Sequence, residues 1–88
     1  MSYTLDFTRK AKEDVEFFKK SGNKAVLNKI NTIIEWILES PFIGLGKPEP
    51  LRYDLSGYWS RRINREHRMV YEVIDELIII HSVRGHYE

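Results

Sequence analysis

The sequence predicts an α+β fold: two N-terminal antiparallel helices packed on a mostly antiparallel sheet, in the order β-α-α-β-β-β-β. Three observations carry this expectation. Apolar residues recur with a helical period between Thr8 and Glu39, the period falls to two beyond Pro50, and a Pro/Gly-rich stretch separates the two regimes. The chain has 88 residues, 42% of them hydrophobic, which allows one small domain with one core and is too apolar for a disordered chain. Trp36 and Trp59 are expected to add to that core.

Tyr3 to Phe7 alternates apolar and polar residues, as a half-buried strand does. Thr8 is a fitting helix N-cap, and Ala11, Val15 and Phe18 follow at i, i+4 and i+7, with Phe17 widening the stripe. Ser21-Gly22-Asn23 stops this helix, because glycine takes the left-handed cap conformation at little cost. A second helix runs from about Lys24 to Glu39 on a stripe of Val26, Ile30, Ile33 and Ile37. It ends near Ser40, since Pro41 biases its predecessor out of the α region. The stretch Pro41–Pro50 holds three prolines and two glycines, a stiffened loop. Leu51–Leu55, Tyr58–Asn64, His67–Ile74 and Leu77–Arg84 read as strands, with turns at Ser56-Gly57, Arg65-Glu66 and Asp75-Glu76. Leu77–Arg84 is the most apolar and is expected at the sheet centre.

Composition removes several function classes. The absence of cysteine excludes disulfide scaffolds, Cys-ligated zinc and thiol catalysis. The longest apolar run, Leu77–Ile80, is far short of the ~20 residues a membrane helix needs, and the first twenty residues contain no signal-peptide core. No membrane association and a cytosolic (cytoplasmic) location are therefore expected. A chain of this size leaves room for a partner or a homodimer contact to add stability. The net charge of +1 hides a division: residues 44–71 carry +3, with six basic residues, and residues 72–88 carry −3. Five of the six basic residues are arginines, whose planar forks match phosphate oxygens. A solvated surface and a polyanion-binding surface both fit that charge run.

Candidate chemical groups lie near this basic segment. Glu49 is held between Pro48 and Pro50; a carboxylate fixed in this way can act as a general base, and a lone loop glutamate is also commonly just solvated. Arg61 and Arg62 are adjacent in a strand, so they cannot both point at one ligand, and one of them belongs to the surface. His86-Tyr87 follows the last strand, where histidine is structural, solvated or functional. His67 has a weaker claim, and His81, inside the apolar strand, is expected to be a hydrogen-bonded core residue. No metal-ligand motif occurs, so neither a metal nor another cofactor is called for. Ser56 and Ser60 lack a nucleophile elbow. What remains is a carboxylate, a histidine, a tyrosine and several arginines, a set that suits metal-free phosphodiester chemistry on RNA.

Four blocks then point to a family. Gly46-Lys-Pro-Glu-Pro-Leu51, Leu55-Ser-Gly-Tyr-Trp-Ser-Arg-Arg-Ile63, Glu66-His-Arg-Met-Val-Tyr71 and Arg84-Gly-His-Tyr87 together resemble the YoeB/Txe toxins, within the RelE-like group of bacterial toxin–antitoxin systems. The resemblance covers residues 41–87 in order; the helical half resembles the family only in pattern.

The resemblance implies a ribosome-dependent endoribonuclease toxin that cleaves mRNA in the ribosomal A site and is neutralised by a cognate antitoxin of the YefM/Axe kind. It implies Glu49 as general base, His86 as the usual candidate for the acid, Tyr87 as the residue that orients or stacks on substrate, and Arg68 as stabiliser of the scissile phosphate. Lys47, Arg52 and Arg62 fall where the family tends to carry charge that holds RNA. Two departures stand out. Glu88 follows the tyrosine at which family members often end, and Gly85 precedes His86, which implies a looser tail. A non-catalytic RNA- or ribosome-binding module and an antitoxin-binding interaction domain are the rival readings.

Overall fold

The computed structural model describes residues 2–44, 46–51 and 57–85. Its elements are β1 (Thr4–Phe7), α1 (Arg9–Lys20), α2 (Lys24–Glu39), β2 (Glu49–Pro50), β3 (Tyr58–Arg62), β4 (Arg68–Ile74) and β5 (Leu77–Ser82). The expected α+β fold and its element order are present. The sheet runs β1-β5-β4-β3-β2, with β1 parallel to β5 and every other pair antiparallel.

Local sequence explains both helices. Thr8 Oγ1 accepts from Ala11 N–H at 3.1 Å and Asn23 Oδ1 from Val26 N–H at 3.2 Å, so each helix has a side-chain N-cap. Gly22 sits at φ 70°, in the turn between the helices. The stripe of α2 is buried as its period requires: Val26, Ile30, Ile33 and Ile37 are each at most 4% exposed. These residues meet Ala11 and Phe18 of α1 and Met69, Tyr71, Ile78 and Ile80 of the sheet in one core. Trp36 departs from the expectation. It is 43% exposed, because it falls on the outer side of the α2 stripe, while Trp59 packs half-buried against the core.

One strand expectation is also corrected. Between β1 and β4, β5 is interior, but β4 holds the central place in the sheet. Among the described residues β3 is paired at Glu49–Pro50, which opposes Ser60 and Trp59; of the strand expected over Leu51–Leu55, residues 52–55 lie outside the described residues. Proline supplies no N–H to a ladder, so this two-residue strand suits the sheet edge it occupies.

The β4–β5 register slips beside the core. Tyr71 pairs with Ile80 and Val70 with Ser82, which leaves His81 as the extra residue of a bulge. The His81 carbonyl accepts from Thr8 Oγ1 at 3.1 Å, tying the α1 cap to the sheet. The His81 side chain is half-buried and does not join the core cluster: it bonds Glu72 Oε1 at 2.9 Å and stacks on Tyr58 at 4.6 Å between centroids.

Candidate active site

Strand pairing collects the functional candidates. Residues directly opposite in an antiparallel ladder share a face. Glu49 opposes Ser60 and Arg62 opposes Arg68, while the alternate positions Met69 and Tyr71 enter the core. Glu49, Ser60, Arg62 and Arg68 thus stand on the face turned away from the helices. Gly46, Lys47, Glu49, Arg62 and Arg68 line a cleft of about 270 Å³ there.

Arg68 is the most constrained member. Its side chain is only 15% exposed, and Nε donates to Ser60 Oγ at 3.0 Å. Ser60 is itself 2% exposed, so this serine, which lacks any nucleophile elbow, serves as an anchor for the guanidinium. Nη2 of Arg68 is buried with no hydrogen-bond partner among the described residues, and it stands 4.0 Å from Glu49 Oε2. That separation is too long for a hydrogen bond. The Glu49 side chain is 65% exposed, so the carboxylate faces solvent beside a cation with donor capacity to spare.

The loop carrying Lys47 and Glu49 is fastened from beneath. Arg61 is fully buried, and its Nη2 donates to the carbonyls of Ser40 and Ile43 at 2.6 and 2.8 Å. Its Nε donates to Tyr71 Oη at 3.1 Å, and that hydroxyl donates to the Pro41 carbonyl. Burial raises the Tyr71 phenol above its ordinary 10.0, with the hydrogen bond and charge of Arg61 pulling the other way. Arg62 N–H then donates to the Gly46 carbonyl at 2.8 Å, bringing the loop alongside β3. Gly46 at φ 85° is followed by Lys47 at φ 49°, a left-handed conformation that costs a non-glycine residue roughly 1–3 kcal/mol. The tight turn places Lys47 and Glu49 on the same cleft.

Of the sequence candidates, Glu49, Arg68, Lys47 and Arg62 come together; Arg52, His86 and Tyr87 lie outside the described residues. Of the arginine pair, Arg62 is the exposed one and Arg61 the buried one. The chain enters His86 from Gly85, whose carbonyl accepts from Arg68 N–H at 2.8 Å and whose N–H donates to His67 Nδ1 at 3.0 Å. Both backbone groups of Gly85 are held, and the tail beyond it, expected to be looser, lies outside the described residues. Ser60, Arg61 and His67 were not legible as supports, because their contacts depend on strand register. A larger groove of about 680 Å³ lies between α1 and α2, but its charged groups are helix-surface residues, and the Lys19–Glu16 pair there stands at 4.0 Å with both side chains more than half exposed. Among the described residues, no three His, Asp or Glu side chains group as a metal site requires. No helix among them is long and apolar enough to cross a membrane.

Residues 7–87 match the family described as YoeB-like toxin of bacterial type II toxin-antitoxin system. The chain belongs to the YoeB-like toxins. It is 49% identical over 84 residues to Toxin YoeB of Synechocystis sp., spanning 96% of each chain. Its fold matches the YoeB dimer from Staphylococcus aureus with a TM-score of 0.87 and 42% identity, over 97% of this chain and 98% of that one. The YoeB chain of the YoeB-YefM complex from Staphylococcus aureus gives 0.86 and 43%, over the same shares. The cleft described above is therefore that of a YoeB toxin of a type II toxin–antitoxin system.

Proposed function

We propose that this YoeB-like toxin is a metal-independent endoribonuclease that cuts mRNA in the ribosomal A site and so inhibits translation. Glu49 takes the proton of the RNA 2′-hydroxyl, whose oxygen attacks the adjacent phosphorus. Arg68 stabilises the charge gathered on the phosphorane oxygens, and His86 protonates the departing 5′-oxygen. Tyr87 orients the substrate or stacks on it. Lys47, Arg52 and Arg62 hold the RNA backbone. The products are a 2′,3′-cyclic phosphate and a 5′-hydroxyl, with one proton taken and one returned.

One observation supports this reading above the others: Arg68 Nη2 is buried and unpaired at 4.0 Å from the solvent-facing Glu49 carboxylate. An unsatisfied buried cationic donor is costly, and a phosphate oxygen is the partner it lacks. A module that only bound RNA would have no use for a carboxylate facing that phosphate.

The cytosol, where translating ribosomes are, is the proposed site of action. The YoeB-YefM complex from Staphylococcus aureus makes a cognate antitoxin of that kind the proposed protein partner, and the YoeB dimer makes a homodimer the proposed oligomer. An acidic antitoxin segment would compete with RNA for the Lys47, Arg62 and Arg68 surface.

Primer extension on mRNA-programmed ribosomes tests the reading. The wild-type chain is expected to cut within the A-site codon, and Glu49→Ala to bind the ribosome without cutting. Cleavage by Glu49→Ala at the wild-type rate would remove Glu49 as base. Wild-type binding without any cleavage would leave a binding module in place of an enzyme.

A further inference from the structure

His67 has no place in the chemistry above, yet it holds the chain one residue before His86. The Gly85 N–H donates to its Nδ1 at 3.0 Å, and the next residue, Arg68, donates its own N–H to the Gly85 carbonyl at 2.8 Å. Two consecutive residues thus hold both backbone groups of Gly85, and one of them carries the guanidinium of the cleft. Gly85 takes φ 83°, a left-handed conformation that glycine adopts readily. A backbone N–H donates only to a lone pair, so Nδ1 carries no proton and the ring hydrogen is on Nε2.

The His67 ring is set by the core. It packs edge-on against Phe18 at 5.0 Å between centroids, and Phe18 is 1% exposed. The two residues before Gly85 are also tied to α1: Val83 N–H donates to Asp14 Oδ2 at 3.1 Å, and the Arg84 guanidinium lies 3.5 Å from the Phe17 ring centroid. The tail is fastened at three successive positions before His86, and the last fastening is His67.

We propose that His67 is a positioning residue whose Nδ1 fixes Gly85, the residue that leads into His86 and Tyr87, beside the backbone of Arg68. The proposal rests on the reading of Glu49, Arg68, His86 and Tyr87 as the reacting set. A general acid must come within hydrogen-bond reach of its oxygen, and a misplacement of about 1 Å costs roughly a hundredfold in rate.

Two variants separate shape from bonding. His67→Phe keeps a ring against Phe18 and removes the acceptor; His67→Asn loses the ring and supplies a carbonyl acceptor close to the Nδ1 position. Each is checked for cooperative thermal unfolding, then measured for kcat and KM on programmed ribosomes and for hydrogen exchange at the Gly85 amide. His67→Phe should lower kcat by roughly ten- to a hundredfold with KM within about threefold, and its Gly85 amide should exchange faster. His67→Asn should recover most of kcat and of the protection. Wild-type kcat in His67→Phe overturns the proposal, as does a low kcat in His67→Asn with Gly85 protected. Should the wild-type chain leave the mRNA uncut, the functional reading falls and the positioning role with it. Gly85 exchange would then still report the His67 bond independently.

Discussion

Arg61 and Arg62 are consecutive in β3 and face opposite ways: Arg61 is buried beneath the loop that carries Lys47 and Glu49, and Arg62 lines the cleft above it. The same side chain therefore does two different jobs one residue apart. Arg61→Met removes the buried donors to the Ser40 and Ile43 carbonyls and to the Tyr71 hydroxyl, and should cost roughly 3 kcal/mol of stability by urea unfolding. Arg62→Ala should stay within about 0.5 kcal/mol of wild type. Its defect should appear instead as weaker ribosome binding with a shallower dependence on salt. A stability loss in Arg62→Ala equal to that of Arg61→Met would contradict this division.

Arg68→Ala removes the guanidinium that Ser60 anchors beside Glu49. If that group binds the phosphorane more tightly than the ground-state phosphate, the cleavage rate at saturating ribosomes should fall by roughly 10²–10³. Ribosome affinity should change only a few fold, of order 1 kcal/mol or less. A loss of affinity with an unchanged saturated rate would assign Arg68 to docking.

Gly46→Ala tests the loop that presents Lys47 and Glu49. A Cβ at this position, where φ is 85°, would lie 2.8 Å from the Arg62 carbonyl oxygen and 3.1 Å from Arg61 Cβ. The loop must then shift away from β3, at a cost of roughly 1–3 kcal/mol in stability. Activity should drop with it, because Lys47 and Glu49 move together. Unchanged Tm and unchanged cleavage would show that the Gly46 carbonyl bond to Arg62 N–H does not hold the loop.

Tyr71 gives the fold an alkaline limit. Burial holds its phenol protonated above its ordinary 10.0, and Arg61 offsets only part of that effect. Its folded-state pKa is therefore raised, so its contribution is fully present below pH 10.0 and is lost as pH rises through the folded value. The unfolded chain releases this proton first, binds fewer protons than the fold, and is favoured as pH climbs. Tyr71→Phe should start less stable, having lost its bonds to Pro41 and Arg61, and should lose less stability across the same pH range. Parallel urea midpoints for both proteins across that range would remove Tyr71 as the source.

The helices were legible because their determinants are local. Thr8, Gly22 and the Val26–Ile37 stripe each act within a few residues of their own position. Strand alternation likewise required Arg61 and Arg62 to face apart, but which of them is buried depends on the carbonyls of a loop some 20 residues away. The place of Trp36, the central position of β4 and the His81 bulge are all outcomes of packing between distant segments. At the cleft, the blocks of resemblance gave Lys47, Glu49, Arg62 and Arg68, and pairing across β2, β3 and β4 brings them to one face. Ser60 and His67 emerged only with the register, since nothing adjacent to either in sequence marks the group it holds.

The central claim is that Glu49 and Arg68 act on a phosphodiester whose own 2′-hydroxyl attacks. The most direct measurement uses an mRNA with a single 2′-deoxy nucleotide just upstream of the cut, loaded on intact ribosomes at fixed magnesium. The account predicts ribosome binding at wild-type affinity and no cleavage of this substrate, while the all-ribose mRNA yields an upstream fragment ending in a 2′,3′-cyclic phosphate or the 3′-phosphate formed from it. Efficient cutting of the deoxy substrate, or an upstream fragment ending in a 3′-hydroxyl, would contradict it. The nucleophile would then be water, and the roles of Glu49 and His86 would have to be reassigned.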